Sequence, residues 1–145
     1  MGSISTVVDI AAPVDQVWDV IVDPSTYDRW MTVHTKWKSE IPAQYEVGTQ
    51  TEEVVTMLGM ANTISWTVEE LEAPSKLTIS GTGMAGVRTT FAFGVASDGD
   101  GGSRATIVAE FEGQMIVGAL AQAIEQDAKK NLEESLAKLA EVAAA

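Results

Sequence analysis

The sequence contains no cysteine and only one histidine, His34, among its 145 residues. The absence of cysteine excludes disulfide bonds, thiolate nucleophiles and thiolate metal ligands. A single histidine also excludes a pair of histidine metal ligands and a relay of several imidazoles. We therefore expect neither a metal site nor a cofactor. Any acid–base chemistry would have to use His34 or oxygen-bearing side chains.

Basic residues are also scarce, because nine lysines and arginines stand against 21 aspartates and glutamates, for a formal net charge of −12. This charge repels phosphate backbones and anionic lipid headgroups, so we expect no nucleic-acid partner. No apolar run approaches the roughly 18 residues of a membrane span, and residues 1–10 lack a signal-peptide pattern. Together with the lack of cysteine, these absences predict a cytoplasmic protein without a membrane span.

The remaining composition, 46% hydrophobic and 21% charged, excludes a disordered chain and predicts one globular domain over residues 1–145. The apolar pattern predicts a strand at 3–10, a helix at 13–22 and a short helix at 27–30. Turn-bounded, β-rich stretches then predict six strands, at 33–39, 49–58, 61–71, 76–82, 87–95 and 104–113. A long helix at 117–142 follows, with an apolar stripe of Val117, Leu120, Ile124, Ala128, Leu132, Leu136 (or Ser135), Leu139 and Val142.

The apolar face of such an antiparallel sheet must be covered, and only the C-terminal helix is long enough to cover it. A curved sheet that grips this helix leaves a gap at one end, which we expect the two short helices to cap. The predicted fold class is therefore α+β. A curved antiparallel sheet of about six or seven strands wraps around the long C-terminal helix, with two short helices after the first strand.

Several stretches carry a resemblance to a known superfamily: VVDIAAPVDQVWDVIVDPSTYDRW at 7–30, WTVEELEAPSKLTISG at 66–81, TTFAFGV at 89–95, GGSRATIVAEFEG at 101–113 and ALAQAIEQDAKKNLEESLAKL at 119–139. Their order resembles that of START-like (SRPBCC) proteins with the helix-grip fold, in particular the polyketide cyclase/dehydrase and lipid-transport branch. The resemblance implies the fold and an internal pocket. It does not imply one activity, because the superfamily includes carriers, cyclases, aromatases and regulatory proteins.

The resemblance and the composition together predict a cavity that binds a hydrophobic small molecule. Strand aromatics would face alanines on the long helix, and methionines near the turns would give an adaptable wall. The predicted cavity residues are Trp30, His34, Met57, Ile64, Trp66, Phe91, Phe93, Phe111, Met115, Leu120 and Ile124.

Candidates for catalysis are few, and no residue is assigned a catalytic role. His34 and Tyr27 are the first candidates, although a single histidine in such a position is more often a surface or strand residue. As a general base, His34 would need a carboxylate to orient it, for which Asp23 and Asp28 are nearby in sequence. The groups on which a cyclase could draw are His34, Tyr27, Tyr45 and Glu52.

Two glycine-rich stretches are interpreted as turns. GTGMAG at 81–86 fits a dinucleotide-binding pattern, but a strand follows it where that pattern requires a helix. DGDG at 98–101 resembles the start of a calcium loop, but the distal glutamate at the required spacing is missing.

Three functions remain open. The favoured one is binding or transport of a hydrophobic small molecule, such as a lipid, a polyketide-like aromatic or an isoprenoid, in the internal cavity. The second is a cyclase or aromatase, in which the pocket shapes a reactive polyketide. The third is a regulatory or toxin–antitoxin-type interaction protein on the same fold. The sequence leaves the oligomeric state open.

Overall fold

The computed structural model describes residues 2–83, 86–114 and 116–144. The elements in chain order are β1 (Gly2–Ile10), α1 (Val14–Ile21), a 3-10 turn (Pro24–Thr26), α2 (Tyr27–Trp30), β2 (His34–Trp37), β3 (Gln50–Met57), β4 (Met60–Glu72), β5 (Lys76–Thr82), β6 (Arg88–Ser97), β7 (Ser103–Glu112) and α3 (Gly118–Ala144). The strands of these residues form one antiparallel sheet in the order β1-β7-β6-β5-β4-β3-β2. This curved sheet around α3 confirms the predicted helix-grip fold.

Alternation of side chains along β6 and β7 explains which face of the sheet covers α3. Phe91 and Phe93 of β6 are buried, as are Ile107, Ala109 and Phe111 of β7, while the alternate residues between them are partly exposed. Because successive strand residues point to opposite faces, each of these apolar sets lies on one side. The inner face of the sheet is therefore apolar and packs toward α3.

The hairpin between β3 and β4 turns through Leu58 and Gly59, one residue earlier than the break between the predicted strands 49–58 and 61–71. Met57 pairs with Met60, and the two turn residues have φ angles of 53° and 73°. Positive φ at both central residues is typical of a type I′ turn. The backbone N–H of Leu58 donates to Asp127 Oδ2 of α3 at 3.0 Å. The tip of this hairpin is thus tied to the long helix.

The apolar stripe of α3 is confirmed in its C-terminal half, whose buried residues include Ala128, Leu132, Ser135, Leu136 and Leu139. In the N-terminal half, Leu120 and Ile124 of the stripe line an open space instead of filling the core. Ala121 is buried there and Leu120 is 40% exposed, while Val117, which precedes α3, is 63% exposed. The first turns of α3 therefore present a small side chain to the sheet where the last turns present leucines. This difference leaves space at the N-terminal half of the helix.

The two short helices pack at the other half of α3. The N–H of Thr32, just after α2, donates to Ser135 Oγ at 2.9 Å, and the Thr32 hydroxyl donates to the Asn131 carbonyl at 2.8 Å. Trp30 fills this end, with its ring 6.2 Å from that of Phe93. Buried aromatic side chains therefore lie beneath the short helices, where a gap is predicted.

Candidate functional site

A cavity of about 320 Å³ lies between the N-terminal half of α3 and the sheet, beside the β3–β4 hairpin. Its described lining consists of Val55, Met57, Leu58, Met60, Asn62, Ile64, Gly83, Val87, Thr89, Phe111, Ile116, Leu120 and Ile124. Only Asn62 and Thr89 in this set have polar side chains, and none is charged. The cavity is therefore suited to an apolar molecule with few polar groups.

The mouth of the cavity is formed by apolar residues that also reach solvent. Leu58 and Leu120 are each 40% exposed, and Met60 is 63% exposed. Leu58 and Met60 belong to the β3–β4 hairpin, and Leu120 belongs to the first turn of α3. Because Asp127 accepts from the Leu58 N–H, the same hydrogen bond that joins hairpin to helix also fixes one side of this mouth.

Among the described residues, five of the predicted cavity residues border this space: Met57, Ile64, Phe111, Leu120 and Ile124. Five others lie outside its lining, in or beside the core: Trp30, His34, Trp66, Phe91 and Phe93. Met115 lies outside the described residues. That these side chains contact a ligand stays a prediction.

A row of aromatic rings separates the cavity from the short helices. The Phe91 ring lies 6.4 Å from Phe111, a wall residue, and 5.4 Å from Trp66. The same ring lies 6.2 Å from Phe93, whose other neighbour is Trp30. Large inward-facing rings thus lie between the short helices and the cavity, which occupies the end near the hairpin.

Glu53 forms the centre of a buried polar cluster next to these rings. Glu53 Oε2 pairs with Nδ1 of His34, and the side chains of both residues are only 4% exposed. Its other oxygen accepts a hydrogen bond from Trp66 Nε1 at 2.7 Å. Both carboxylate oxygens therefore have partners, as buried polar groups require.

The carboxylate that meets His34 is not one of those predicted from local sequence. Asp28 is exposed, and Asp23 accepts hydrogen bonds from the N–H and hydroxyl of Ser25 at the start of the 3-10 turn. Glu52 is exposed on the outer face of β3. Its neighbour Glu53 lies on the inner face of β3, together with Thr51 and Val55. Strand alternation is therefore a sequence signal that Glu53, and not Glu52, points inward.

Tyr27 and Tyr45 extend the cluster toward the short helices. The Tyr45 hydroxyl donates to the Tyr27 hydroxyl at 3.4 Å, and the Tyr27 hydroxyl faces the Ile21 carbonyl at 3.5 Å. The Trp37 ring lies 5.6 Å from Tyr27 and 5.1 Å from His34. Burial raises the pKa of the Tyr27 phenol well above its usual value, and it raises the pKa of the Tyr45 phenol as well.

These raised pKa values predict a loss of stability in alkaline solution. Deprotonation is unfavourable in the folded state, so both phenols stabilise the fold below their unfolded pKa of about 10 and destabilise it as the pH rises above that value. We expect no tyrosinate absorption from either tyrosine while near-ultraviolet circular dichroism remains native. Both should then ionise together with unfolding. A phenol that titrates near its usual pKa in the folded protein would contradict the prediction.

The two glycine-rich motifs differ in position, since Gly83 of GTGMAG lines the cavity and DGDG does not. DGDG forms the turn between β6 and β7, where Asp98 Oδ1 accepts from the N–H groups of Asp100 at 2.7 Å and Gly102 at 3.1 Å. Part of GTGMAG, residues 84 and 85, lies outside the described residues. Within 2–83, 86–114 and 116–144, no group of three or more histidine, aspartate or glutamate side chains is placed to hold a metal ion.

None of the helices in the described part of the chain is long and apolar enough to cross a membrane. α3 is long, but it carries charged residues throughout, including Glu125, Lys129 and Glu133.

A family model described as polyketide cyclase/dehydrase and lipid transport matches residues 1–144. The chain belongs to this family. Solved structures have the same fold. A protein from Thermus thermophilus, TTHA0849, superposes with a TM-score of 0.80 at 16% identity, covering 97% of this chain and 96% of that one. A START superfamily protein from Mycobacterium smegmatis gives a TM-score of 0.76 at 19% identity over 99% and 97%.

Two similar proteins come from Mycobacterium tuberculosis strain H37Rv. One, named Toxin Rv0910, is 29% identical over 136 residues, which are 94% of each chain. The other, the uncharacterized protein Rv1546, is 28% identical over 142 residues, 98% of this chain and 99% of its own. Membership of the polyketide cyclase/dehydrase and lipid transport family, together with the START-like fold, supports a ligand-binding role.

Proposed function

We propose that the protein binds and carries a compact hydrophobic molecule in the cavity beside the β3–β4 hairpin. The observation that carries this proposal is the open space of about 320 Å³ with its almost wholly apolar lining. Ligand pockets in proteins usually measure about 300–1,000 Å³, so this one suits a small molecule rather than a long-chain lipid. Lipid, polyketide-like and isoprenoid ligands of that size all remain within the proposal.

The position of the ionisable groups supports carriage over cyclase chemistry. A general acid or base must come within about 3 Å of the proton that it transfers. His34, Glu53, Tyr27 and Tyr45 are not part of the cavity lining, and Glu52 is exposed. Both oxygens of Glu53 already have partners within the protein. These groups therefore serve the packing of the core in our proposal.

One observation favours a second candidate, a regulatory protein with a protein partner. A relative of similar length is named a toxin, although its identity to this chain is 29%. Affinity purification from the native host tests this candidate. A stoichiometric protein partner that leaves the cavity empty would favour regulation, whereas a small apolar molecule found by native mass spectrometry would favour carriage.

The carrier proposal predicts that filling the cavity prevents binding. Ile124 lines the cavity from α3, so Ile124→Trp would place an indole in the space that a ligand needs. We expect this variant to bind the neutral fluorescent probe 1-N-phenylnaphthylamine at least about tenfold more weakly than the unmodified protein, a loss of about 1.4 kcal/mol. Fluorescence titration measures the dissociation constant, and thermal unfolding checks the fold.

Val7→Trp is the matched control, because Val7 is 60% exposed on β1 and does not line the cavity. It adds the same indole to the surface and should leave probe binding unchanged. Equal probe affinity in folded Ile124→Trp and in the unmodified protein would show that the cavity is not the binding site.

A further inference from the structure

Thr89 brings an unsatisfied hydroxyl to the cavity wall. It lies on the inner face of β6, is 4% exposed, and belongs to the cavity lining. Its Oγ1 has no hydrogen-bond partner among the residues that the structure describes. Native proteins nearly always pair a buried hydroxyl, and an exception calls for a specific explanation. A ligand oxygen in the cavity would supply the missing partner.

Position distinguishes Thr89 from two other threonines with the same property. Thr6 on β1 and Thr78 on β5 also have buried hydroxyls without a partner in the described chain, but neither lines the cavity. A change of about 120° in χ1 moves the hydroxyl of a threonine into the position of its methyl group or of its Cβ hydrogen. The Thr89 hydroxyl can therefore turn toward a bound molecule without movement of the backbone.

The charges around the cavity limit what that molecule can be. No described lining residue is basic, and Arg88, the residue before Thr89, is exposed on the opposite face of β6. The chain as a whole has a net charge of −12. A carboxylate buried in this apolar space would have no cation to pair with, so its charged form would be strongly disfavoured. The oxygen that meets Thr89 must belong to an uncharged group.

We propose that the cavity selects an uncharged apolar molecule bearing a hydroxyl or carbonyl oxygen, which forms a hydrogen bond with the Thr89 hydroxyl. This inference rests on the proposed carrier function and narrows its ligand class. Free fatty acids and other apolar carboxylates are excluded as preferred ligands. Small alcohols, ketones and phenols with a compact hydrocarbon body fit the volume and the chemistry.

Three compounds with the same naphthalene ring system test the inference: naphthalene, 2-naphthol and the anion 2-naphthoate. The affinity of each is measured at neutral pH by displacement of the neutral probe. We expect 2-naphthol to bind about fivefold more tightly than naphthalene, the effect of one net hydrogen bond. 2-Naphthoate should bind more weakly than either. Thr89→Val has nearly the same shape, so it should remove the advantage of 2-naphthol and leave naphthalene unchanged.

Thr78→Val is the control, since it removes an equivalent hydroxyl away from the cavity and should leave the order of affinities intact. Equal binding of naphthalene and 2-naphthol, tight binding of 2-naphthoate, or equal losses for naphthalene and 2-naphthol in Thr89→Val would each overturn the ligand class while leaving the carrier function in place. Failure of all three compounds and of the probe to bind would overturn the carrier function itself.

Discussion

Replacement of Glu53 with alanine is expected to lower the free energy of unfolding by about 2–4 kcal/mol, because the loss of one carboxylate leaves two buried groups without partners. Trp66 Nε1 donates to one of its oxygens, and His34 Nδ1 pairs with the other. Neither partner can turn to water, because Trp66 is 3% exposed and the His34 side chain is 4% exposed. Urea denaturation followed by tryptophan fluorescence measures the change.

Glu52→Ala provides the matched control for this experiment. Glu52 precedes Glu53 on β3, is exposed, and accepts no side-chain hydrogen bond in the described structure. Its replacement should change the free energy of unfolding by no more than about 0.5 kcal/mol, as is usual for surface positions. Glu53→Gln should fall between the two, since its amide oxygen can still accept from Trp66. If both alanine variants had equal stability, the buried cluster would not contribute to the fold.

The same experiment bears on the role of His34. A catalytic histidine needs access to a substrate, but His34 is enclosed by Glu53, Tyr27 and Trp37. If Glu53→Ala unfolds the protein at lower denaturant concentration and leaves probe binding intact in the folded state, the cluster serves the core. That separation of stability from binding would favour carriage over proton transfer.

The fold could be predicted because its signals are local. The bounds of β5 agree with the predicted 76–82, since Lys76 follows a turn and the strand ends within a glycine-rich stretch. The inner positions of β6 and β7 follow from alternation alone. Gly59 locates the β3–β4 turn within one residue, although nothing in the local sequence indicates that Leu58 also adopts a positive φ.

The polar cluster could not be predicted, because it depends on strand pairing between distant residues. His34 lies opposite Val55 in the β2–β3 ladder, and an irregularity follows before Lys36 pairs with Val54. A shift of one residue in register exchanges the two faces of a strand. Whether His34 meets Glu53 or solvent therefore follows from a register that neither strand's sequence specifies alone.

The position of the cavity was unpredictable for a similar reason. The alanines of α3 indicate empty space along the helix, but they do not indicate at which end. Trp30, held by a 3.0 Å hydrogen bond from its indole N–H to the Thr26 hydroxyl, fills the end near the short helices. At the other end, the small Ala121 and the partly exposed Leu120 of α3 leave the space open. Both are results of tertiary packing.

Gly81→Ala is expected to destabilise the protein by about 2–3 kcal/mol, the cost of adding a methyl group to a filled site. A Cβ atom on Gly81 would lie 2.5 Å from Ile64 Cγ2, 2.9 Å from the backbone oxygen of Ser65 and 2.9 Å from Trp66 Cε3. The Ser65 oxygen belongs to the paired strand β4 and cannot move without disturbing the ladder. Ile64 lines the cavity and Trp66 is bonded to Glu53, so relief of the clash would displace both.

Gly94→Ala is the control that separates crowding from the general effect of replacing a strand glycine. Its added Cβ would meet nothing closer than 3.9 Å, so the same methyl group fits there without a clash. Reduced freedom of the unfolded chain should then leave stability unchanged or raise it by up to about 1 kcal/mol. Chemical denaturation of the two variants compares them directly.

Of these two glycines, only Gly81 lies against the cavity wall. Gly81→Ala should therefore also weaken probe binding at denaturant concentrations where it remains folded, and Gly94→Ala should not. Equal stability of the two variants would mean that β4 can shift at Trp66 to accommodate the added methyl group. The cavity wall would then be more adaptable than its packing indicates.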